Sequence, residues 1–318
     1  MARTACEDGA MTRVLVVGAG IVGLTAAIRL REAGIEADIV ARDEPQHTTS
    51  AVAAALWYPY RAFPPERVEG WSARGFQVLG ELAGVGGSGV RMRAGTELVP
   101  GVAEDPWWRG AVPSFERTAD GHRFTAPVAD MSVHLPWLVL RFGSLGGSGT
   151  TAELESLDEA LARAPVVVNC SGLGARELAG DRLLVPVRGQ VVHVEQTGIA
   201  EWLLDQSDPE RPLYVVPREH DVVLGGTAQE DAEDMEPDPA TAVAIRERAV
   251  AVVPALRHAR VVGGAVGLRP ARASVRLEAE ERSGGTVVHC YGHGGAGVTL
   301  AWGCAEEVVA LVAAALAR

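Results

Sequence analysis

The sequence predicts an α/β protein in which a Rossmann-like nucleotide-binding sheet is interleaved with a second, β-rich α+β lobe. Three observations carry this. Val14-Leu15-Val16-Val17 passes directly into Gly18-Ala19-Gly20-Ile21-Val22-Gly23 and then into apolar residues at helical spacing. A second aliphatic run, Val166-Val167-Val168, ends at Ser171-Gly172. Between and after these the pattern changes to short alternating runs broken by Pro and Gly.

Residues 14–17 read as a buried strand and 23–33 as the helix that follows. In the turn between them Gly18 permits a tight bend, Gly20 lets a pyrophosphate approach the backbone and Gly23 lets helix and strand pack closely, with the helix N-terminus facing the phosphates. This is a dinucleotide cradle. Gly34 is the expected C-cap, and residues 37–41 the second strand. Beyond that strand an acidic residue should accept from a ribose hydroxyl, and Asp43 stands 20 positions past Gly23. Its neighbour Arg42 would instead favour a 2′-phosphate, and the pair also reads as solvated loop charge.

Thr48, Thr49 and Ser50 read as a helix N-cap, and Ala53, Ala54 and Ala55 leave room for a flat ring or a phosphate chain against the main chain. Residues 61–144, with Trp71, Trp107, Trp108 and Trp137, read as a largely β insertion with a few helices, belonging to the second lobe; the glycines of 84–89 read as a surface turn. A helix at 157–163 and a strand at 165–170 return the chain to the first domain. Strands at 185–193, 213–217 and 222–226, an acidic loop at 230–238 and a helix at 239–253 form another excursion. Residues 259–267, 286–291 and a helix at 298–317 lead back. The nucleotide-binding domain is thus expected from 11–60, 145–185 and 259–318, the other from 61–144 and 186–258, with residues 1–10 a disordered leader given no function.

The 318 residues suffice for two cores, and a net charge of −12 without a basic stripe argues against nucleic acid and for a small polar substrate. Cys6, Cys170, Cys290 and Cys304 show no CxxC or Cys/His spacing, so neither a metal site nor a disulfide framework is expected, and a reducing, cytoplasmic setting fits. No signal peptide is evident and the VLVV run is too short to span a membrane.

Several stretches, in order and over nearly the whole chain, resemble the FAD-dependent D-amino-acid oxidases: residues 14–27 and 48–60, Val168-Asn169-Cys170-Ser171-Gly172, Arg188-Gly189-Gln190, Gly267-Leu268-Arg269-Pro270-Ala271-Arg272, and residues 291–303 with their YGHGG opening. The resemblance implies FAD held non-covalently by Gly18, Ala19, Gly20, Ile21, Val22 and Gly23, by Arg42 and Asp43, and by Thr48, Thr49, Ser50, Ala54, Ala55 and Leu56. It adds Leu154, Ser171, Gly172 and Gly267 from later strands, and Gly294, Gly295, Ala296, Gly297, Val298 and Thr299 near the C-terminus.

By the same resemblance Arg269 anchors the substrate carboxylate, as its planar fork of donors suits. Tyr214 shares that carboxylate, a carbonyl near Gly295 accepts from the amine, and His293 packs rather than acting as a base. Arg272 and Arg276 are expected to be structural. The Thr299 hydroxyl and its helix N-terminus are expected to face the flavin pyrimidine edge. The short step from Arg211-Pro212 to Leu213-Tyr214 implies a short or absent lid, and Ala228, where the family has an arginine after Gly-Gly-Thr, favours neutral or apolar D-amino acids.

The expected chemistry is hydride transfer from Cα to flavin N5 without a protein acid or base, giving a 2-oxo acid, ammonia and, with molecular oxygen, hydrogen peroxide. The rival readings are a D-aspartate oxidase, a glycine or sarcosine oxidase, and a non-catalytic flavin-binding sensor or partner. Homodimerisation is compatible with the sequence.

Overall fold

The structure, a computed structural model, describes residues 14–99, 101 and 104–318. The expected leader and Cys6 lie outside these residues. Along the chain run β1 (Val14–Val17), α1 (Ile21–Glu32), β2 (Ala37–Ala41), α2 (Thr49–Val52), α3 (Pro65–Leu82), β3 (Val90–Leu98), β4 (Phe115–Thr118), β5 (Gly121–Ala129) and α4 (Met131–Ser144). There follow β6 (Gly149–Thr151), α5 (Leu157–Leu161), β7 (Val166–Asn169), α6 (Ala175–Leu178), β8 (Val185–Glu195), β9 (Trp202–Asp205), β10 (Leu213–Pro217), β11 (Asp221–Gly225) and β12 (Gln229–Glu230). Last come α7 (Pro239–Val252), β13 (Val261–Ala271), β14 (Arg276–Arg282), β15 (Gly285–Tyr291) and α8 (Gly297–Leu316).

The first sheet has the order β14-β15-β7-β1-β2-β6, parallel throughout except for the β14 edge. Its central strands are buried on both faces, which is why they read as unbroken aliphatic runs. α1 and α8 cover one face, while Leu157, Ala160 and Leu161 of α5 pack with Leu15, Val17 and Val167 on the other. The turns after β1, β7 and β15 therefore gather at the carboxyl ends of the strands, where open α/β sheets bind ligands.

The second sheet has the order β12-β8-β11-β10-β9-β3-β5-β4, with β13 also paired to β8; only β3 and β9 run parallel. β13 runs antiparallel to β8 from Val261 to Ala271 and then feeds β14 of the first sheet, so one strand couples the two layers. An edge-to-face aromatic cluster of Trp57, Phe76, Trp108, Phe124 and Trp202 fills the junction.

Within the stretch 61–144, α3 packs on α8 of the first sheet and also meets β3 and β5 of the second, and α4 lies on α1. α3 buries Val68, Trp71, Gly75, Phe76 and Leu79, a helical stripe, against α8. The contact is close because two glycines lie in it: a Cβ on Gly75 would sit 1.9 Å from the Thr299 carbonyl, and one on Gly303 would sit 2.3 Å from the Trp71 carbonyl. α4 lies on α1 and carries the Arg141–Glu32 ion pair. The strands β9 and β14 were not expected; β14 lies at the sheet edge, exposes Glu278 and Glu281 and buries Leu277.

α8 is long and apolar enough, by length and composition, to cross a membrane. More than half of it is buried against the protein, chiefly under α1 and α3.

Replacing Gly303 by Ala is expected to lower stability by about 1–3 kcal/mol in urea unfolding through overpacking of the α3–α8 contact. Gly70→Ala, on α3 with open space within 4 Å of the added methyl, should raise it by up to about 1 kcal/mol. His134 gives a second test. It is fully buried on α4, its Nδ1–H donates to the Ser88 carbonyl at 2.7 Å, and burial pushes its pKa down to about 4. Because the unfolded chain takes up this proton first, stability drains away as pH falls from about 6.5 towards 4, by about 2 kcal/mol at pH 5. Urea midpoints of His134→Gln should lack that part of the wild-type loss between pH 7 and pH 5.

Candidate active site

A cavity of about 800 Å³ runs from the turn after β1 to the β8, β10 and β13 strands of the second sheet. Its near end is a backbone surface. Gly18 has φ +109°, and a Cβ there would lie 2.5 Å from the Cys170 carbonyl; a Cβ on Gly23 would lie 1.9 Å from the Gly18 carbonyl. Both positions therefore exclude any side chain, and α1 starts at Gly20 without a side-chain cap or an acidic residue in its first turn. Such an N-terminus is an anion site.

The hydroxyls of 48–50 do not cap α2 as expected. The Thr48 hydroxyl donates to the Pro45 carbonyl, that of Thr49 donates to the Leu268 carbonyl, and Ser50 Oγ accepts from the Ile21 N–H at 2.9 Å. They tie this loop to α1 and β13. Arg42 and Asp43 lie on the cavity wall and form a pair with each other at 2.7 Å, both side chains largely exposed. Leu154, Ser171, Gly172 and Gly267 line the middle.

At the far end Arg269 extends from β13 over Gly189 of β8. A Cβ at 189 would stand 2.4 Å from both terminal guanidinium nitrogens, so the arginine lies flat on the sheet only because that residue is glycine. Its Nη1 donates to the Thr227 carbonyl at 2.9 Å, and among the described residues it forms no salt bridge. Tyr214 of β10 lies opposite Gly225 of β11, where a Cβ would be 1.8 Å from the ring. Burial pushes the Tyr214 phenol up, and the Arg269 charge partly offsets this. Tyr60 completes the group: its ring lies 5.9 Å from the Arg269 guanidinium carbon, and its buried hydroxyl has no partner among the described residues.

Gly294 and Gly295 also stand where side chains do not fit, the first against the Arg61 carbonyl and the second against the Tyr60 ring. Gly297, Val298 and Thr299, at the start of α8, line the cavity between them and the nucleotide turn.

Two residues expected at the cofactor lie off the cavity wall. Gly23 acts in packing α1 on its turn, and Ala296 is buried behind the wall as the N-cap of α8. Ala19, Gly20, Ile21, Val22, Ala54, Ala55 and Leu56 do line it. The Thr299 hydroxyl is engaged within the protein: it accepts from the Tyr58 N–H and donates to the Tyr58 carbonyl, both at 3.0 Å. His293 turns its Nε2 towards the Cys290 thiol at 3.9 Å. Arg272 pairs with Asp181, and Arg276 donates to the Tyr291 hydroxyl.

Sequence reasoning missed Gly189, Val191, Leu204, Gln206 and Val216, which wall the Arg269 end, and had no role for Tyr58 or Tyr60 individually. Tyr58 donates to Glu97 Oε1 at 2.5 Å, whose other oxygen is 3.2 Å from His122 Nδ1, and burial next to this carboxylate pushes its phenol well up. The glycines of Arg188-Gly189-Gln190 and Gly225-Gly226-Thr227 were the available signal, since glycine inside a strand marks close approach by another group.

An elongated cavity with a bare, electropositive turn at one end, a second side-chain-free wall at Gly294 and Gly295, and a carboxylate-free arginine beyond it fits FAD with a small anion alongside. Comparison with known proteins agrees. The family model described as "DAO: FAD dependent oxidoreductase" matches residues 13–126 and 136–311. The chain is 52% identical over 317 residues to a D-amino-acid oxidase of Rubrobacter xylanophilus, covering 96% of this chain and 97% of that one. It is 44% identical over 318 residues to a D-amino-acid oxidase of Streptomyces coelicolor, covering 97% and 99%. Among solved structures, a glycine oxidase from Geobacillus kaustophilus superposes with a TM-score of 0.78 at 19% identity, covering 95% and 94% of the two chains, which is a likeness of fold. The chain belongs to the DAO family of FAD-dependent oxidoreductases.

Proposed function

We propose that this protein is an FAD-dependent D-amino-acid oxidase that deaminates neutral and apolar D-amino acids to 2-oxo acids and ammonia, reducing molecular oxygen to hydrogen peroxide. The carrying observation is the Arg269–Tyr214 pair, laid flat on glycines at the end of a cavity that begins with a dinucleotide turn. FAD, when bound, supplies the hydride acceptor for the substrate Cα and then the reductant for oxygen.

The protein's part is orientation. The Arg269 fork and the Tyr214 hydroxyl fix the carboxylate, which leaves the Cα–H direction set by the sheet rather than by a loop. Leu56, Val191, Leu204 and Val216 provide an apolar wall that excludes water. His293 faces a thiol, so no base role is assigned to it.

The preference for neutral side chains follows from charge. Among the described residues two arginines line the cavity, Arg269 and Arg42, and Arg42 is already paired with Asp43 at the nucleotide end. Ala228 is buried, with its N–H donated to the Glu210 carbonyl. A second substrate carboxylate would therefore be desolvated without a counter-charge.

Arg269→Ala should lower kcat/KM for D-alanine by about a hundredfold or more, mostly through KM, with FAD still bound. Gly189→Ala, which leaves the arginine in place but displaces its fork, should move KM in the same direction by about tenfold or more. Near-wild-type KM in both variants would remove the anchor role. A peroxide-coupled screen of the yellow holoenzyme should show D-alanine and branched D-amino acids oxidised at least about tenfold faster than D-aspartate, glycine or sarcosine, and L-amino acids left untouched.

A further inference from the structure

Three cysteines that are far apart in sequence converge in the fold. Cys170 follows β7, and Cys290 stands in β15 one residue beyond the Asn169–His289 pair of the parallel ladder, so the two are strand neighbours. Cys304 comes from α8. The sulfurs of Cys290 and Cys304 and a ring nitrogen of His293 all lie within 4.8 Å of one another. All four are buried, at 7%, 1%, 0% and 3% exposure for Cys170, Cys290, Cys304 and His293.

Buried thiols alone are ordinary packing, since cysteine behaves as a small hydrophobe. The imidazole changes the case. His293 is a buried polar ring on the cavity wall, and its Nε2 faces sulfur, a weak hydrogen-bond partner. Its 3.9 Å separation from Cys290 Sγ is close to the roughly 3.5–3.8 Å between neighbouring ligand atoms of a tetrahedral zinc centre.

We propose that Cys290, His293 and Cys304 bind a zinc ion. Binding converts each thiol to a thiolate and releases one proton per cysteine, while neutral His293 donates through a ring nitrogen and water takes the fourth position. Cys290 and His293 line the cavity and Cys304 comes from α8, so the ion would tie the end of β15 and the turn after it to that helix.

The test uses holoenzyme produced in zinc-supplemented medium, desalted, and assayed on one sample for zinc by mass spectrometry and for FAD by absorbance. About one zinc per chain is expected, with X-ray absorption showing two sulfur ligands and an imidazole nitrogen. Cys304→Ala, whose side chain lies off the cavity, should carry less than about a tenth of a zinc per chain while retaining FAD. Wild-type holoenzyme with less than about a tenth of a zinc, or equal zinc in wild type and Cys304→Ala, overturns the proposal. Should the variant not fold, the wild-type stoichiometry and coordination decide alone. None of these readouts depends on oxidase turnover.

Discussion

Arg269 lies where it does because residue 189 has no side chain. The pairing of β13 with β8 sets Gly267 opposite Gly189, so Arg269 is one diagonal step from it on the same face, close enough for the guanidinium to rest on the neighbouring strand. A methyl there would meet both terminal nitrogens at 2.4 Å. Tyr214 repeats the arrangement over Gly225. Each side chain is thus backed by main chain, and its direction follows from strand register. Groups that must orient a small ligand within fractions of an ångström are better placed on such elements than on loops.

The same substitution of backbone for side chain recurs along the cavity. Gly18 and Gly23 bring α1 down on the nucleotide turn, Gly294 and Gly295 bring the turn after β15 against Arg61 and Tyr60, and Gly75 and Gly303 let α3 and α8 cross closely behind it. These contacts are linked. α8 holds the 53–60 loop through the two Thr299–Tyr58 hydrogen bonds, and Tyr58 in turn reaches Glu97 of β3. The first sheet, the loop and the second sheet are therefore joined through a few buried polar contacts as well as through the aromatic junction.

Much of this was legible in the sequence where a residue type has one physical use. The aliphatic run before a G-x-G-x-x-G turn located β1 and α1, and Arg269 in its Gly-Leu-Arg-Pro setting was singled out before any geometry was known. What remained hidden depends on partners distant in the chain. Nothing local in Gly189 says that an arginine eighty positions later lies on it. The three buried cysteines have no spacing signal because their neighbourhood is made by two adjacent strands and a helix. α3 shows a different limit: its helical stripe is clear, but a stripe does not say that the helix packs on α8 as well as on the second sheet. Thr299 was expected at the ligand as a hydroxyl at a helix start, and its bonds to Tyr58 follow only from the fold.

That last difference changes how the C-terminal helix acts on a ligand. With the Thr299 hydroxyl engaged at both its donor and an acceptor position, the polar influence of this element passes through the backbone. α8 begins at Gly297 with no side-chain cap and no acidic residue in its first turn, so its leading peptide N–H groups and the positive end of its dipole meet the cavity uncompensated by side chains. The helix is enclosed by α1 and α3, so its axis is fixed and the field at its N-terminus has a fixed direction. A fixed dipole in a partly dehydrated cavity stabilises negative charge without having to reorganise. Thr299 contributes by holding the 53–60 loop against the helix start, which keeps the cavity wall closed around that field.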